Sequence, residues 1–313
     1  MQIKKFTTIL AAASSAAAQS RPANTSICDY YTTALLTNNT AENQYTLLTL
    51  LVNTVVIGNY TKPNTGVAVP GILAPGTYNG TAVNLAPYFN GALASTNLGG
   101  KTGVSVNFLD GGGAAPLMKN MPANDTTSNQ SFLLTHLYSY FGALLQCSMY
   151  SKQGFPVYNG SNSMYETHKF MALGNAEVGY FITQVALAAQ SFGVATSDIQ
   201  AVGTALNSLF GTRCSPEMKV IPEQPAALQA ICIEPECPLA ENAVCGQYDV
   251  VTEPMNATMT MTAPMGTGTM PATVSMTMTP TGTVTPSMVP TAAAGKVGLS
   301  MMAVAGGFAA LML

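Results

Sequence analysis

Apolar residues recur at helical spacing in four stretches of the chain, and each stretch predicts an amphipathic helix with one face in a core. The first is Leu47, Leu48, Leu51, Val52, Val55 and Val56. The second is Leu133, Leu134, Leu137, Tyr138 and Phe141, and the third Val178, Phe181, Ile182, Val185, Ala189 and Phe192. The fourth is Ile199, Val202, Leu206 and Leu209. Ser163-x-x-Glu166 and Ser197-x-x-Gln200 have capping-box spacing and open helices at those serines. Between the first two stripes, residues 62–122 are rich in Pro and Gly. There the triplet Gly111-Gly112-Gly113 lacks the Gly-Lys-Ser/Thr ending of a phosphate loop and reads as a turn. The pattern therefore predicts a mostly α domain over residues 26–212, with a long irregular insertion at about 92–122.

The periodicity stops at both ends. Met-Gln-Ile-Lys-Lys is followed by apolar and small residues through 18, including Ala16, Ala17 and Ala18. That is the layout of a secretory signal peptide, residues 1–19, and the run is too short to span a bilayer. Residues 251–296 are a Thr/Met/Pro-rich segment without large periodic apolar residues, so they cannot build a core. Ser and Thr with Pro suit an O-glycosylated stalk. Its Met-Thr repetition would also allow copper capture by thioethers, although a plain spacer is the simpler reading. Residues 297–313 are apolar and uncharged. They are short for a spanning helix and lack a basic cytoplasmic flank. A polar spacer with small residues before such a tail suits a GPI-anchor signal, with attachment at about residues 287–295. A retained tail-anchor helix is the competing reading.

Composition then narrows the compartment. Only 8% of residues are charged and the net charge is −3, without a basic run, so nothing favours a nucleic-acid partner. Asn-x-Ser/Thr acceptors stand at Asn24, Asn38, Asn59, Asn79, Asn124, Asn129, Asn159 and Asn256. Glycans there would solubilise a charge-poor chain. Six cysteines, Cys28, Cys147, Cys214, Cys232, Cys237 and Cys245, imply three disulfides in an exported protein and leave their pairing open. Four of them fall in residues 213–250, which read as a stapled cysteine-rich appendix. The Cys232-x4-Cys237-x7-Cys245 spacing does not match paired zinc signatures.

The chain has two histidines, His136 and His168. If Ser163 caps a helix, Met164, His168 and Met171 share one face, and an imidazole among soft apolar side chains suits a haem-iron ligand. Gln130 falls on the apolar stripe of its helix and needs a buried partner. His136 falls on the opposite face of that helix. No paired carboxylates or Gly-x-Ser-x-Gly elbow support a hydrolase, Asp110 and Glu166 being the nearest acids.

Residues 129–210 resemble a truncated haemoglobin. The resemblance rests on Gln130-Ser-Phe132-Leu133, on Tyr158-Asn-Gly160 followed by Met164-Tyr-Glu-Thr-His168, and on Tyr180-Phe181, Gly193-Val194 and Asp198-Ile199 in that order. Upstream, Leu85-Ala-Pro-Tyr88-Phe89 is similar to the family's Leu-x-Pro-Phe-Phe turn. The resemblance implies a globin-like helical domain and a b-type haem, with His168 as proximal ligand to the iron. Gln130 would then donate to a bound diatomic molecule, and Phe89, Leu133, Met164, Met171 and Phe181 would wall the porphyrin. The chain departs from the family at Leu51-Val52-Asn53, where a distal Tyr is usual, and at Phe141-Gly142-Ala143, where a glycine pair is usual.

Two functions follow as expectations. One is a cell-surface haem protein that binds oxygen or another diatomic ligand. The other is a structural or adhesive wall glycoprotein on a globin-like scaffold without haem. Both place the protein outside the cell, in the outer membrane leaflet through a GPI lipid or against wall glycan.

Overall fold

The computed structural model describes residues 21–62, 64–97 and 101–257. The segments read above as a signal peptide, as most of a stalk and as an anchor-signal tail lie outside the described residues. Helix α1 (Ile27–Leu36) opens at Ser26, whose Oγ accepts the Asp29 amide at 3.1 Å. Helix α2 (Ala41–Ile57) opens at Thr40, which accepts the Asn43 amide at 3.2 Å. Such caps satisfy amides that the first helical turn leaves unpaired.

The Pro/Gly-rich region is more ordered than its sequence predicts. Strands β1 (Gly76–Tyr78) and β2 (Thr81–Val83) form an antiparallel hairpin. Its turn is Asn79-Gly80, with φ of 49° and 85°, the left-handed pair that a tight hairpin turn requires. A short helix, α3 (Ala86–Phe89), leads into β3 (Asn90–Thr96), which pairs antiparallel with β4 (Val104–Asn107) through two register shifts. The insertion at 92–122 is therefore not irregular. It carries a bulged hairpin and a helical turn, α4 (Ala114–Leu117), and the bulges are why no clean alternation shows in the sequence.

Helix α5 (Asn129–Leu144) is capped by Ser128, and α6 (Met164–His168) by Ser163, whose Oγ accepts the Glu166 amide at 3.1 Å. Helices α7 (Asn175–Ser191) and α8 (Thr196–Phe210) complete a mostly α fold. The second sequence cap is displaced: α8 starts before Ser197, with Ala195 at the cap and no side chain capping it. Tyr31 holds that end instead, its hydroxyl accepting the Ala195 amide and donating to Asp198.

The core sits where α2 packs on α1, α5 and α7, and where α7 packs on α8 and the β1–β2 hairpin. Leu48, Val52, Val55 and Val56 meet Leu134, Tyr138 and Phe141, with Val178, Val185, Leu206 and Leu209 behind them. Gly142 lets a helix and a ring approach: a Cβ there would lie 2.2 Å from the Phe155 ring, which is completely buried.

The six cysteines form Cys28–Cys147, Cys214–Cys245 and Cys232–Cys237. The first joins α1 to the residues after α5. The cysteine-rich segment is not a separate appendix in packing terms. Cys232, Cys237 and Ile221 belong to the common core, the Ile231 and Cys232 amides both donate to the Phe210 carbonyl, and Ile233 donates to Leu173.

Ion pairs contribute little here: those among the described residues are Arg21–Asp198 and Lys169 with Glu166 and Asp249. Amides take over the role of tying distant segments. Gln44, Asn53, Gln130, Gln184 and Gln229 are each at most 2% exposed, and each hydrogen-bonds backbone or side chains far along the chain. Gln44, for example, donates to Asp29 at 2.6 Å and accepts the Met149 amide at 2.9 Å, beside Cys28–Cys147.

Candidate functional site

Helix α6 holds His168 as its last residue. The Ser163 hydroxyl anchors the helix start by donating to the Leu228 carbonyl at 2.7 Å. His168 Nδ1 lies 2.7 Å from the Met164 carbonyl. A carbonyl only accepts, so Nδ1 carries the proton and Nε2 presents a bare lone pair. The ring is half-buried. Burial pulls its pKa below the ordinary 6.5, against the opposing Met164 hydrogen bond, and keeps it neutral near pH 7. Nε2 has no protein partner among the described residues.

An axial metal ligand needs this tautomer. The same bond occurs at His136, however, whose Nδ1 lies 2.6 Å from the Phe132 carbonyl one turn back. His136 packs between the Phe132 ring at 4.0 Å and the Tyr158 ring at 5.5 Å, away from any ligand role. The bond is thus a local helical feature of both histidines, and it does not single out His168.

Gln130 is where the haem arrangement fails to assemble. Asp110 receives the first amides of α5: its Oδ1 accepts Gln130 N at 2.9 Å, and Oδ2 accepts the Asn129 amide and side chain at 3.1 and 2.8 Å. Burial pushes the Asp110 carboxyl up, but those bonds together outweigh it and hold the group below the usual carboxylate range. The Gln130 side chain then reaches back into the same loop. Its Nε2 donates to the Gly113 and Pro122 carbonyls at 2.9 Å each, and its Oε1 accepts the Gly113 amide at 2.8 Å. Gly112 and Gly113 reach φ of 111° and 58°, conformations glycine adopts without strain. Both ends of the Gln130 amide are therefore occupied by backbone, and Nε2 has no proton left for a bound diatomic molecule.

The porphyrin walls are closed as well. Met164 and Met171 are buried in the common core, while Phe89, Leu133 and Phe181 pack against that core from partly buried positions. Helix α6 packs on β3, and the Tyr88 hydroxyl donates to the Met171 carbonyl at 2.9 Å. His168 offers one suitable ligand atom, but the residues named with it do not form a cleft around it. We conclude that this set does not fit haem. Of the acids singled out in the sequence, Glu166 is also engaged: it pairs with Lys169 at 2.9 Å. All six cysteines are in disulfides, and among the described residues no three His, Cys, Asp or Glu side chains are grouped to hold a metal.

Two features lay outside the sequence reading. The first is a cavity of about 310 Å³ lined by Tyr165, Arg213, Cys214, Ile233, Pro235, Cys245, Tyr248, Asp249, Val250 and Val251. Its only sequence signal was that Arg213 is one of two arginines and stands next to Cys214. The second is the placement of the glycosylation acceptors. Asn24, Asn38, Asn59, Asn79, Asn124, Asn129, Asn159 and Asn256 are all exposed. By contrast Asn53, outside any acceptor motif, is completely buried and bonded to Tyr138 and Leu117.

No protein-family model, curated protein or solved structure matches this chain.

Proposed function

We propose that this chain is an exported glycoprotein of the cell surface. In this reading its disulfide-stapled helical domain is a haem-free scaffold, carried on a Thr/Met/Pro-rich stalk and held by a GPI lipid. The observation that carries the reading is that every N-glycosylation acceptor lies on the exposed surface of a domain whose cysteines all pair. Buried acceptors would have argued against glycosylation, since the transferred glycan must stay in solvent. Paired cysteines belong to oxidising compartments. Among the described residues no helix is long and apolar enough to cross a membrane, which leaves attachment to the segments outside them.

Expression of the full chain in a eukaryotic secretory host tests each part. Endoglycosidase should lower its apparent mass, and phosphatidylinositol-specific phospholipase C should release it from the surface. The released protein should be colourless after haem addition. A Soret band lost in His168→Ala and kept in His136→Ala would overturn the haem-free reading.

A further inference from the structure

The polar groups around the Arg213 cavity are almost all committed. The Tyr248 hydroxyl donates to the Ser215 carbonyl at 2.6 Å, and the Tyr165 hydroxyl accepts the Asp249 amide at 2.7 Å. Asp249 Oδ2 is held by Lys169 at 2.8 Å, and that lysine side chain is only 9% exposed. Arg213 differs. Its Nε donates to the Cys237 carbonyl at 3.1 Å, which fixes the plane of the guanidinium. Its terminal amino groups have no hydrogen-bond or ion-pair partner among the described residues. Around it the walls are Ile233, Pro235, Val250, Val251 and the Cys214–Cys245 disulfide.

We infer that this cavity binds a small apolar monocarboxylate, with its carboxylate on the Arg213 fork and its tail along the valines. A guanidinium presents parallel N–H donors that match a carboxylate, and it is weakly hydrated enough to prefer that partner beside apolar walls. A single unpaired cation matches one negative charge, and Asp249 on the same wall disfavours a dianion such as phosphate. The volume equals about ten water molecules of liquid. That suits a tail of the octanoate class and lies at the small end of ligand pockets. Val250 is 91% exposed at the cavity wall, an apolar side chain with little else to cover it. The inference stands apart from the scaffold reading: a haem protein or a scaffold could carry this site equally.

Equilibrium dialysis of labelled octanoate against the purified full chain tests it, with octanol as the neutral probe. Octanoate should saturate one site, and octanol should bind at least about tenfold more weakly, the difference made by a charge-assisted pair. Arg213→Gln should weaken octanoate at least about tenfold. Because Arg213 also bonds Cys237, a second variant is needed that leaves that bond intact. Val250→Asp places a carboxylate at the mouth on an exposed residue, and should weaken octanoate while leaving the melting temperature unchanged. Equal binding of octanoate and octanol, absence of a saturable site, or undiminished octanoate binding in the folded variants would each overturn the inference.

Discussion

At the start of α5, Gln130 has both ends of its amide on backbone and Asp110 takes the free helix amides, so Gln130 has no donor left for a ligand. Beside Cys214–Cys245, Arg213 lines a cavity and uses one donor, and its terminal groups have no partner among the described residues. Both regions hold a polar side chain among apolar neighbours. The first is closed because a glycine-bearing loop folds over it, and the second borders a cavity that the Cys214–Cys245 disulfide helps to line. Hydrogen-bond satisfaction separates a latch from a binding site better than residue type does. Gln130 looked like the ligand donor in the sequence, and Arg213 did not draw notice.

If that contrast holds, disturbing the closed side should be costly and disturbing the open side cheap. The largest effect should come from removing the bridge beyond the far end of α5. Cys28→Ser with Cys147→Ser frees a loop of 119 residues and should cost about 5 kcal/mol in denaturant unfolding. Gln130→Leu leaves the Gly113 and Pro122 carbonyls without this donor and the Gly113 amide with only its longer bond to the Leu109 carbonyl. It should cost about 3 kcal/mol, and hydrogen exchange at Gly113 should accelerate. A stable Gln130→Leu protein would break the contrast. Gly142→Ala drives a methyl into the Phe155 ring and should cost about 2 kcal/mol, measurable by the same unfolding curves.

The pH response should be smaller, with a defined sign. His168 is held neutral when folded, so the unfolded chain takes up a proton that the native ring resists, and stability should fall as pH drops below about 6.5. His168→Gln should flatten that part of the profile. Asp110, held below the ordinary 3.8, stabilises the fold above that value, and its contribution is lost as pH falls through its folded pKa. Glu234 acts oppositely. Burial, with Glu253, Glu236 and Glu177 nearby, raises its pKa, so its contribution is present at acid pH and disappears as pH rises through the folded value. The smallest effect belongs to the open side: Val250→Asp should change stability by no more than about 0.5 kcal/mol.

The helices were legible because their apolar stripes carry the core. Leu48, Val52 and Val55 of α2, Leu134 and Tyr138 of α5, and Val185 of α7 are all buried as their spacing requires. Ser163 was legible as a cap because capping is local. That Gln130 needed a buried partner was also readable, but not which one. Gly113 and Pro122 lie in a loop whose path depends on the β3–β4 hairpin. The Asn79-Gly80 turn carried a hairpin signal that the surrounding Pro and Gly obscured. Ser197 misled because Tyr31, distant in sequence, holds the start of α8. Arg213 could not be recognised from the sequence as a binding group, since what marks it is that its terminal groups lack a partner in space.

The Cys28–Cys147 bridge has one more consequence, for any protease that meets the folded chain. A cut at any single peptide bond between the two cysteines releases no fragment, because both new ends stay on one covalent ring. The Asn79-Gly80 tip and the Asp110–Pro122 loop lie inside that ring. Surface damage there would register as a nicked chain that runs intact until a reductant opens it.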